Sequence, residues 1–180
     1  YYAPQIWCSD DTDAIERISI QHGSSFFYPP SVMGAHVSVC PNQQTGRSVS
    51  IDTRAALAYY GTFGYELDPN ELTDDEKEAV KRQIQYYQAH ALTSAFGHYY
   101  RLTDVGNEFV AFMSVADDQK SAVFSFVQLR SSANKGIIYI RLRGLDADAV
   151  YTIPELGLEL TGASLMYAGL PMPVIKADNT

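Results

Sequence analysis

Hydrophobic and polar positions along the chain follow two different periods, and the change falls near residue 105. Before it, short apolar runs alternate with stretches in which apolar residues recur every three or four positions, the spacing of an amphipathic helix. After it, apolar and polar residues alternate at every second position, the spacing of a half-buried strand. The pattern therefore predicts two domains, residues 1–104 and residues 105–180.

The first part is predicted to contain strands and helices in alternation. The predicted strands cover residues 6–7, 32–39 and 62–67, and the predicted helices cover 12–22, 50–60 and 73–91. Gly23 is placed as a C-cap, and Thr73 with Glu76 has the spacing of a capping box. Alternation of this kind is typical of a parallel α/β fold. Three such units alone leave an open parallel sheet with exposed edges, so we expect further units upstream of Tyr1.

The second part is predicted to contain short strands separated by polar turns. The predicted strands cover residues 109–114, 122–127, 137–143, 150–153 and 158–160, and the clearest turns are 116–121 and 131–136. In the third of these strands Ile138, Ile140 and Leu142 alternate with Tyr and Arg, which indicates one solvated face. Short strands at regular spacing favour an antiparallel β-sandwich.

Composition and charge exclude several classes of partner. A net charge of −8 argues against nucleic acid or an anionic membrane surface, since either requires a basic face. No apolar run reaches the about 18 residues of a membrane-spanning helix. The two cysteines have no metal-binding spacing, which favours a reduced cytosolic setting. The chain begins at Tyr1 without a charged n-region, so its start does not read as a signal peptide; we interpret it as the middle of a longer chain, whose missing part would carry any localisation signal.

The candidate chemistry lies in W-C-S-D-D-T-D, residues 7–13. Trp7 ends a predicted strand, and Asp10 and Asp11 follow in the connection to the next helix. In (β/α)8 barrels such connections carry the catalytic residues. Helix capping, for which Asp13 is well placed, is the competing interpretation and is favoured by the residues alone. A metal site is disfavoured because no further oxygen ligands follow at regular spacing. Cys8 lacks a persuasive histidine partner for a role as nucleophile.

A family resemblance adds to this interpretation. Residues 1–17 and 21–47 resemble the C-terminal part of bacterial α-galactosidases of glycoside hydrolase family 36. The family motif W-x-S-D-x-x-D-x-x-x-R is matched at Trp7, Ser9, Asp10, Asp13 and Arg17. The similarity continues through P-N-x-Q-T-G-R and G-T-F-G-Y-E-L, and more loosely through L-T-G-A-S-L-M-Y-A-G-L near the end. It covers nearly the whole chain.

The resemblance implies a fold and an activity. The fold is the C-terminal part of a (β/α)8 TIM barrel followed by an antiparallel β-sandwich. The activity is retaining hydrolysis of terminal α-linked galactose in oligosaccharides such as raffinose and melibiose. By matching position, Asp10 is the proton donor (the general acid/base) and Trp7 lies near the galactose subsite, while Asp13 and Arg17 support the site or cap the helix. The family nucleophile belongs to a K-W-D motif that this sequence does not contain, so we expect the 180-residue chain alone to be inactive.

The resemblance also implies partners and a location. These are a galactose-containing oligosaccharide, the N-terminal part of the same enzyme and other copies in a homo-oligomer, a tetramer in the family. The bacterial cytoplasm is the expected location. Neither a cofactor nor a metal is expected.

Two alternative functions remain open. One is a galactosyltransferase of the raffinose-synthase type, which passes the same sugar to an acceptor. The other is a non-catalytic role of the β-sandwich as an assembly module. In the loop 41–47 and the strand before it, His36, Asn42 and Arg47 are candidates to touch substrate or another subunit. A loop whose polar groups satisfy one another is slightly favoured.

Overall fold

The computed structural model describes residues 3–106, 108–130 and 136–173. Internal contacts divide the chain into two compact units, Tyr1–Phe96 and Gly97–Thr180. The division falls before residue 104, where the sequence pattern predicts it, because the strand that follows Gly97 pairs within the second unit. In the described part of the chain, no helix is both long enough and apolar enough to cross a membrane.

Helices and parallel strands alternate in the first unit, as predicted. They are α1 (Ala14–Ser24), β1 (Gly34–Ser38), α2 (Ile51–Ala58), β2 (Thr62–Glu66) and α3 (Asp74–Phe96). β1 and β2 pair in parallel, starting with Gly34 opposite Thr62. The first predicted strand is reduced to one parallel bridge between Ile6 and Met33, next to a 3₁₀ turn at Pro30–Val32. The predicted order of elements is therefore confirmed for this unit.

Side-chain caps define where two of these helices begin. The hydroxyl of Ser50 accepts from the backbone N–H of Thr53 at the start of α2 (3.2 Å). At the start of α3, the hydroxyl of Thr73 accepts from the N–H of Glu76 (3.3 Å), and the Glu76 carboxylate accepts from the N–H of Thr73 (2.9 Å). The predicted capping box is thus confirmed.

Two helix ends differ from the sequence prediction. Gly23 does not end α1, which continues through Ser24 and is capped by Ser25. A glycine inside a helix costs only about 1 kcal/mol relative to alanine, so neighbouring helical hydrogen bonds can carry it. α3 runs beyond residue 91 to Phe96, because its last turn buries small side chains that the helical pattern did not mark as apolar.

The core of the first unit is a contact between α2 and β1 through small side chains. Ala35 and Val37 of β1 and Ala55 and Ala58 of α2 are all fully buried. Short side chains allow the helix to approach the sheet closely and leave few voids. Half-buried aromatic rings from β2 extend this cluster. The packed layer fixes β1, beside which the segment that carries the candidate chemistry runs.

The second unit consists of small antiparallel sheets. Its strands are β3 (His98–Arg101), β4 (Phe109–Val115), β5 (Ala122–Gln128), β6 (Ile138–Ile140), β7 (Val150–Ile153), β8 (Leu158–Thr161) and β9 (Leu170–Met172). Among the described residues β3, β4 and β5 form one sheet, β6 pairs with β9, and β7 pairs with β8. All of these pairs are antiparallel. The strands β4, β5, β7 and β8 were predicted, whereas β3 and β9 were not.

One buried cluster holds these sheets together. Its fully buried members are Ala111, Met113, Val115, Ile140, Leu142, Leu145, Leu165, Leu170 and Met172. β6 is shorter than the predicted 137–143, although Leu142 is still buried in this cluster. Of the predicted turn at 131–136, residues 131–135 lie outside the described residues.

Candidate active site

The acidic stretch begins with a tight turn beside β1. Ile6 donates to the carbonyl of Val32 (2.7 Å) and accepts from the N–H of Gly34 (2.8 Å), which aligns the chain just before Trp7 with the β1 strand. The next residue, Cys8, has a positive φ of 54°, and the N–H of Ser9 donates to the carbonyl of Trp7 (2.5 Å). This is a γ-turn with a non-glycine residue in a disfavoured conformation. Such strain persists only where the surroundings hold it.

The three aspartates after this turn have different environments. Asp11 accepts from the N–H of Asp13 (3.0 Å) in a local turn, and the Ser9 hydroxyl accepts from the N–H of Asp11 (3.1 Å). Asp10 is exposed, and among the described residues no group hydrogen-bonds or ion-pairs with its carboxylate. Asp10 is therefore the carboxylate of this stretch that is available to exchange a proton with a bound molecule.

Asp13 is the N-cap of α1, which confirms the capping interpretation for this residue. Its carboxylate is 1% exposed and accepts from the N–H groups of Ile15 (2.8 Å) and Glu16 (3.1 Å). It also accepts from the hydroxyl of Thr45 (2.5 Å) and pairs with the Arg47 guanidinium. Burial raises the pKa of Asp13, but the hydrogen bonds from Thr45, Glu16 and Ile15 and the charge of Arg47 outweigh it and lower the pKa overall.

The loop 41–47 is held by its own polar groups, as the sequence favoured. Asn42 is buried, and its side-chain oxygen accepts from the N–H groups of Gln44 (3.0 Å) and Thr45 (3.1 Å). Its amide donates to the hydroxyl of Thr12 (3.3 Å). Arg47 contacts the two acidic side chains at the start of α1. This loop therefore supports the first turn of α1, and Asn42 and Arg47 have structural partners.

Trp7, which follows the Ile6 bridge, and His36 of β1 form an aromatic pair. Their ring centroids lie 4.7 Å apart, and Trp7 remains 41% exposed, which leaves ring surface for a ligand. Two glycines leave room for the rings of this pair. A Cβ on Gly64, directly opposite His36 in the parallel pair, would lie 2.5 Å from the histidine ring. A Cβ on Gly34 would lie 3.1 Å from the Trp7 ring.

The histidine of this pair favours its neutral form. Burial lowers the pKa of His36, the carboxylate of Glu66 partly opposes this, and the charge of Arg17 lowers it further. The ring thus presents a neutral face to Trp7 at neutral pH. The sequence named His36 as a candidate but missed Gly34 and Gly64. A glycine within a strand pattern, as in both of these strands, is the signal that could have found them.

Arg17 lies beneath the strained turn. It is 5% exposed and donates to the carbonyls of Ser9 (3.4 Å) and Gly34 (2.5 Å) and to the side chain of Gln21 (3.3 Å). Burial lowers the pKa of Arg17, and the nearby thiol and acidic side chains act in the opposite direction. Cys8 itself is only partly buried, which differs from the buried position that its residue type favours.

The described residues contain no group of three or more His, Cys, Asp or Glu side chains arranged to hold a metal ion.

Comparison with known proteins identifies the class to which this fold and site belong. The sequence profile of the family described as Melibiase matches residues 1–97, and that of the Glycosyl hydrolase family 36 C-terminal domain matches residues 109–180. The chain belongs to the melibiase family of glycosyl hydrolases, with the family 36 C-terminal domain following. The resemblance inferred from the sequence motifs is thereby confirmed.

Similar proteins are α-galactosidases. The chain is 52% identical over 174 residues to the bifunctional alpha-galactosidase/sucrose kinase AgaSK of Mediterraneibacter gnavus, covering 96% of this chain and 19% of that protein. It is 44% identical to alpha-galactosidase AgaA of Geobacillus stearothermophilus, covering 99% of this chain and 24% of that protein. The crystal structure of an AgaA double variant in complex with raffinose superposes with a TM-score of 0.95 at 42% identity, covering 99% of this chain and 25% of that one. The chain thus spans about a fifth to a quarter of the length of these relatives.

Proposed function

We propose that this chain supplies the acid/base half of the active site of a retaining α-galactosidase. Asp10 is the general acid/base, and Trp7 lines the galactose subsite. The observation that carries the proposal is the difference among the three aspartates. Asp13 is a buried helix cap, and Asp11 accepts a hydrogen bond within a local turn. Asp10, three residues after Trp7, is exposed, and among the described residues its carboxylate has no hydrogen-bond or ion-pair partner. Relatives named α-galactosidases, one of them solved with raffinose, supply the substrate class.

The proposed reaction follows the two-carboxylate mechanism. A retaining glycosidase places a nucleophilic carboxylate and an acid/base about 5 Å apart on opposite sides of the bond. Asp10 donates its proton to the glycosidic oxygen as the nucleophile attacks the anomeric carbon, and the aglycone leaves as a neutral alcohol. Asp10 then takes a proton from water, which attacks the same carbon and releases galactose. The exposed face of Trp7 is suited to the apolar face of a galactose ring.

Architecture and assembly complete the proposal. The first unit forms the C-terminal part of a (β/α)8 barrel, supported by the parallel pairing of its strands and the position of Asp10 in a strand-to-helix connection. The second unit forms an antiparallel β-sandwich, supported by its antiparallel sheets around one core. The chain acts together with the remaining part of the same enzyme, in a cytoplasmic homo-oligomer. Two free cysteines are consistent with a reducing compartment.

The test compares Asp10→Asn with Asp11→Asn in the complete enzyme that carries this chain. The first variant loses the proton donor, so kcat/KM on raffinose should fall about 10²–10⁴-fold. On p-nitrophenyl α-galactoside the loss should be far smaller, because that leaving group departs without protonation. Added azide, which needs no general base, should then accelerate turnover of the activated substrate. Asp11→Asn keeps an oxygen for its local turn and should retain activity on both substrates.

Two results would refute the assignment. Equal losses on raffinose and on the activated substrate in the Asp10 variant would exclude the acid role. Hydrolysis of p-nitrophenyl α-galactoside by the purified 180-residue chain alone would show that a nucleophile lies within it, although the sequence contains no K-W-D motif.

A further inference from the structure

The orientation of Asp10 depends on the backbone that precedes it. Among the described residues no side chain hydrogen-bonds or ion-pairs with the Asp10 carboxylate, so its direction follows from the main chain that carries it. The preceding main chain is the γ-turn at Cys8, whose φ of 54° is disfavoured for a non-glycine residue. A strained turn of this kind costs about 1–3 kcal/mol and relaxes unless neighbouring groups hold it. Relaxation would redirect the residues that follow.

Arg17 is a buried side chain that hydrogen-bonds this turn. Its guanidinium donates to the carbonyl of Ser9 (3.4 Å), the residue immediately before Asp10. The same guanidinium donates to the carbonyl of Gly34 (2.5 Å), at the start of β1. It therefore ties the strained turn to the edge of the parallel sheet. Since Arg17 is 5% exposed and presents a planar fork of donors, this link is shielded from water and fixed in direction.

We propose that Arg17 is a positioning residue for Asp10, acting through the turn at Cys8 and Ser9. The inference rests on the proposed function of Asp10 as the acid/base. Catalysis is sensitive to such positioning, since a displacement of about 1 Å far from the chemistry can cost about 10²-fold in rate. The loss should appear where protonation of the leaving group is needed. A loss of folded enzyme, by contrast, would lower kcat/KM by the same factor on both substrates.

The first unit offers a matched control in Arg54. This arginine is also 5% exposed and donates to backbone carbonyls, those of Ser38 and Val49 (3.0 Å). Its hydrogen bonds lie in β1 and at the start of α2, away from the turn at Cys8. Removing either arginine deletes a buried guanidinium, but only the removal of Arg17 takes a hydrogen bond away from the turn before Asp10.

The experiment measures kcat/KM on raffinose and on p-nitrophenyl α-galactoside for Arg17→Met, Arg54→Met and Asp10→Asn in the complete enzyme. The ratio of the two values reports proton donation and is independent of the folded fraction. Arg17→Met should lower the raffinose value about 10–100-fold more than the activated-substrate value, in the same direction as Asp10→Asn. Arg54→Met should leave the ratio unchanged. Arg17→Lys, which keeps the charge but not the fork, provides an intermediate ratio if the methionine variant does not fold.

The outcomes separate this inference from the proposed function. A changed ratio in Asp10→Asn with an unchanged ratio in both Arg17 variants overturns the positioning role and leaves the acid role standing. The same ratio change in Arg54→Met as in Arg17→Met also overturns it, because any buried arginine would then suffice. An unchanged ratio in Asp10→Asn overturns the proposed function and this inference with it.

Discussion

The buried cap of α1 allows a quantitative test of how this region is held. Asp13→Ala removes an acceptor from the N–H groups of Ile15 and Glu16, and loss of an N-cap costs about 0.5–2 kcal/mol. It also removes the pairs with Thr45 and Arg47. Because Arg47 is 39% exposed, these are worth only about 0.2–1 kcal/mol. The expected loss in the free energy of unfolding is therefore about 1–3 kcal/mol.

Urea unfolding followed by tryptophan fluorescence measures this loss. Trp7 is the only tryptophan of the chain and lies in the same unit as α1, so the signal reports this unit. Asp68→Ala is the matched control, since Asp68 accepts from the N–H of Asn70 (2.8 Å) in an exposed turn. The control should lose less than about 0.5 kcal/mol. A loss in Asp13→Ala no larger than in the control would refute the account of the cap.

The same carboxylate predicts a pH dependence. The pKa of Asp13 is lowered in the folded state, so its ionised form stabilises the fold. This contribution is fully present above the unfolded pKa of about 4 and is lost as the pH falls through the lower folded pKa. Asp13→Asn keeps a capping oxygen but has no charge to titrate. The difference in stability between wild type and Asp13→Asn should therefore shrink below about pH 4, and a constant difference would contradict the assignment.

Three further substitutions test the aromatic pair and a backbone constraint. His36→Ala removes the ring that supports Trp7 and should raise KM for α-galactosides severalfold in the complete enzyme, with kcat less affected; a changed kcat at constant KM would argue against a supporting role. Gly64→Ala should destabilise the first unit by about 1–3 kcal/mol in urea unfolding, and the cost should largely disappear in the His36→Ala background, since the new Cβ would lie 2.5 Å from that ring. At Gly144, where φ is 74°, an added Cβ would lie 2.6 Å from a ring carbon of a tyrosine; at Gly157, where φ is 62°, no atom would lie within 4 Å of it. Gly144→Ala should therefore lower the thermal midpoint measured by circular dichroism more than Gly157→Ala. Equal shifts would show that the contact with the tyrosine ring does not contribute.

The sequence predicted most of the helices and strands, because their formation depends on residues that are close together in the chain. The capping box at Thr73 and the helical spacing that follows it depend on residues within one or two turns, and α3 begins where they indicate. β3 was missed because His98–Arg101 has no alternation of apolar and polar residues. It is a strand because it pairs with β4, with Tyr99 opposite Ser114. β9, which contains Pro171, is likewise a strand only through its pairing with β6.

The candidate site was likewise predictable in part from the sequence, and in part only from the tertiary structure. Residue types and spacing were enough to place an acidic stretch between a strand and a helix, and to identify its family motif, since both are properties of contiguous sequence. Which aspartate remains available depended on contacts between distant segments. Thr45 and Arg47, more than thirty positions away, occupy Asp13, and Arg17 connects the turn before Asp10 to Gly34. These contacts form because folding brings the start of α1 next to the loop 41–47, and a pattern of neighbouring residues cannot predict a contact between segments so far apart in the sequence.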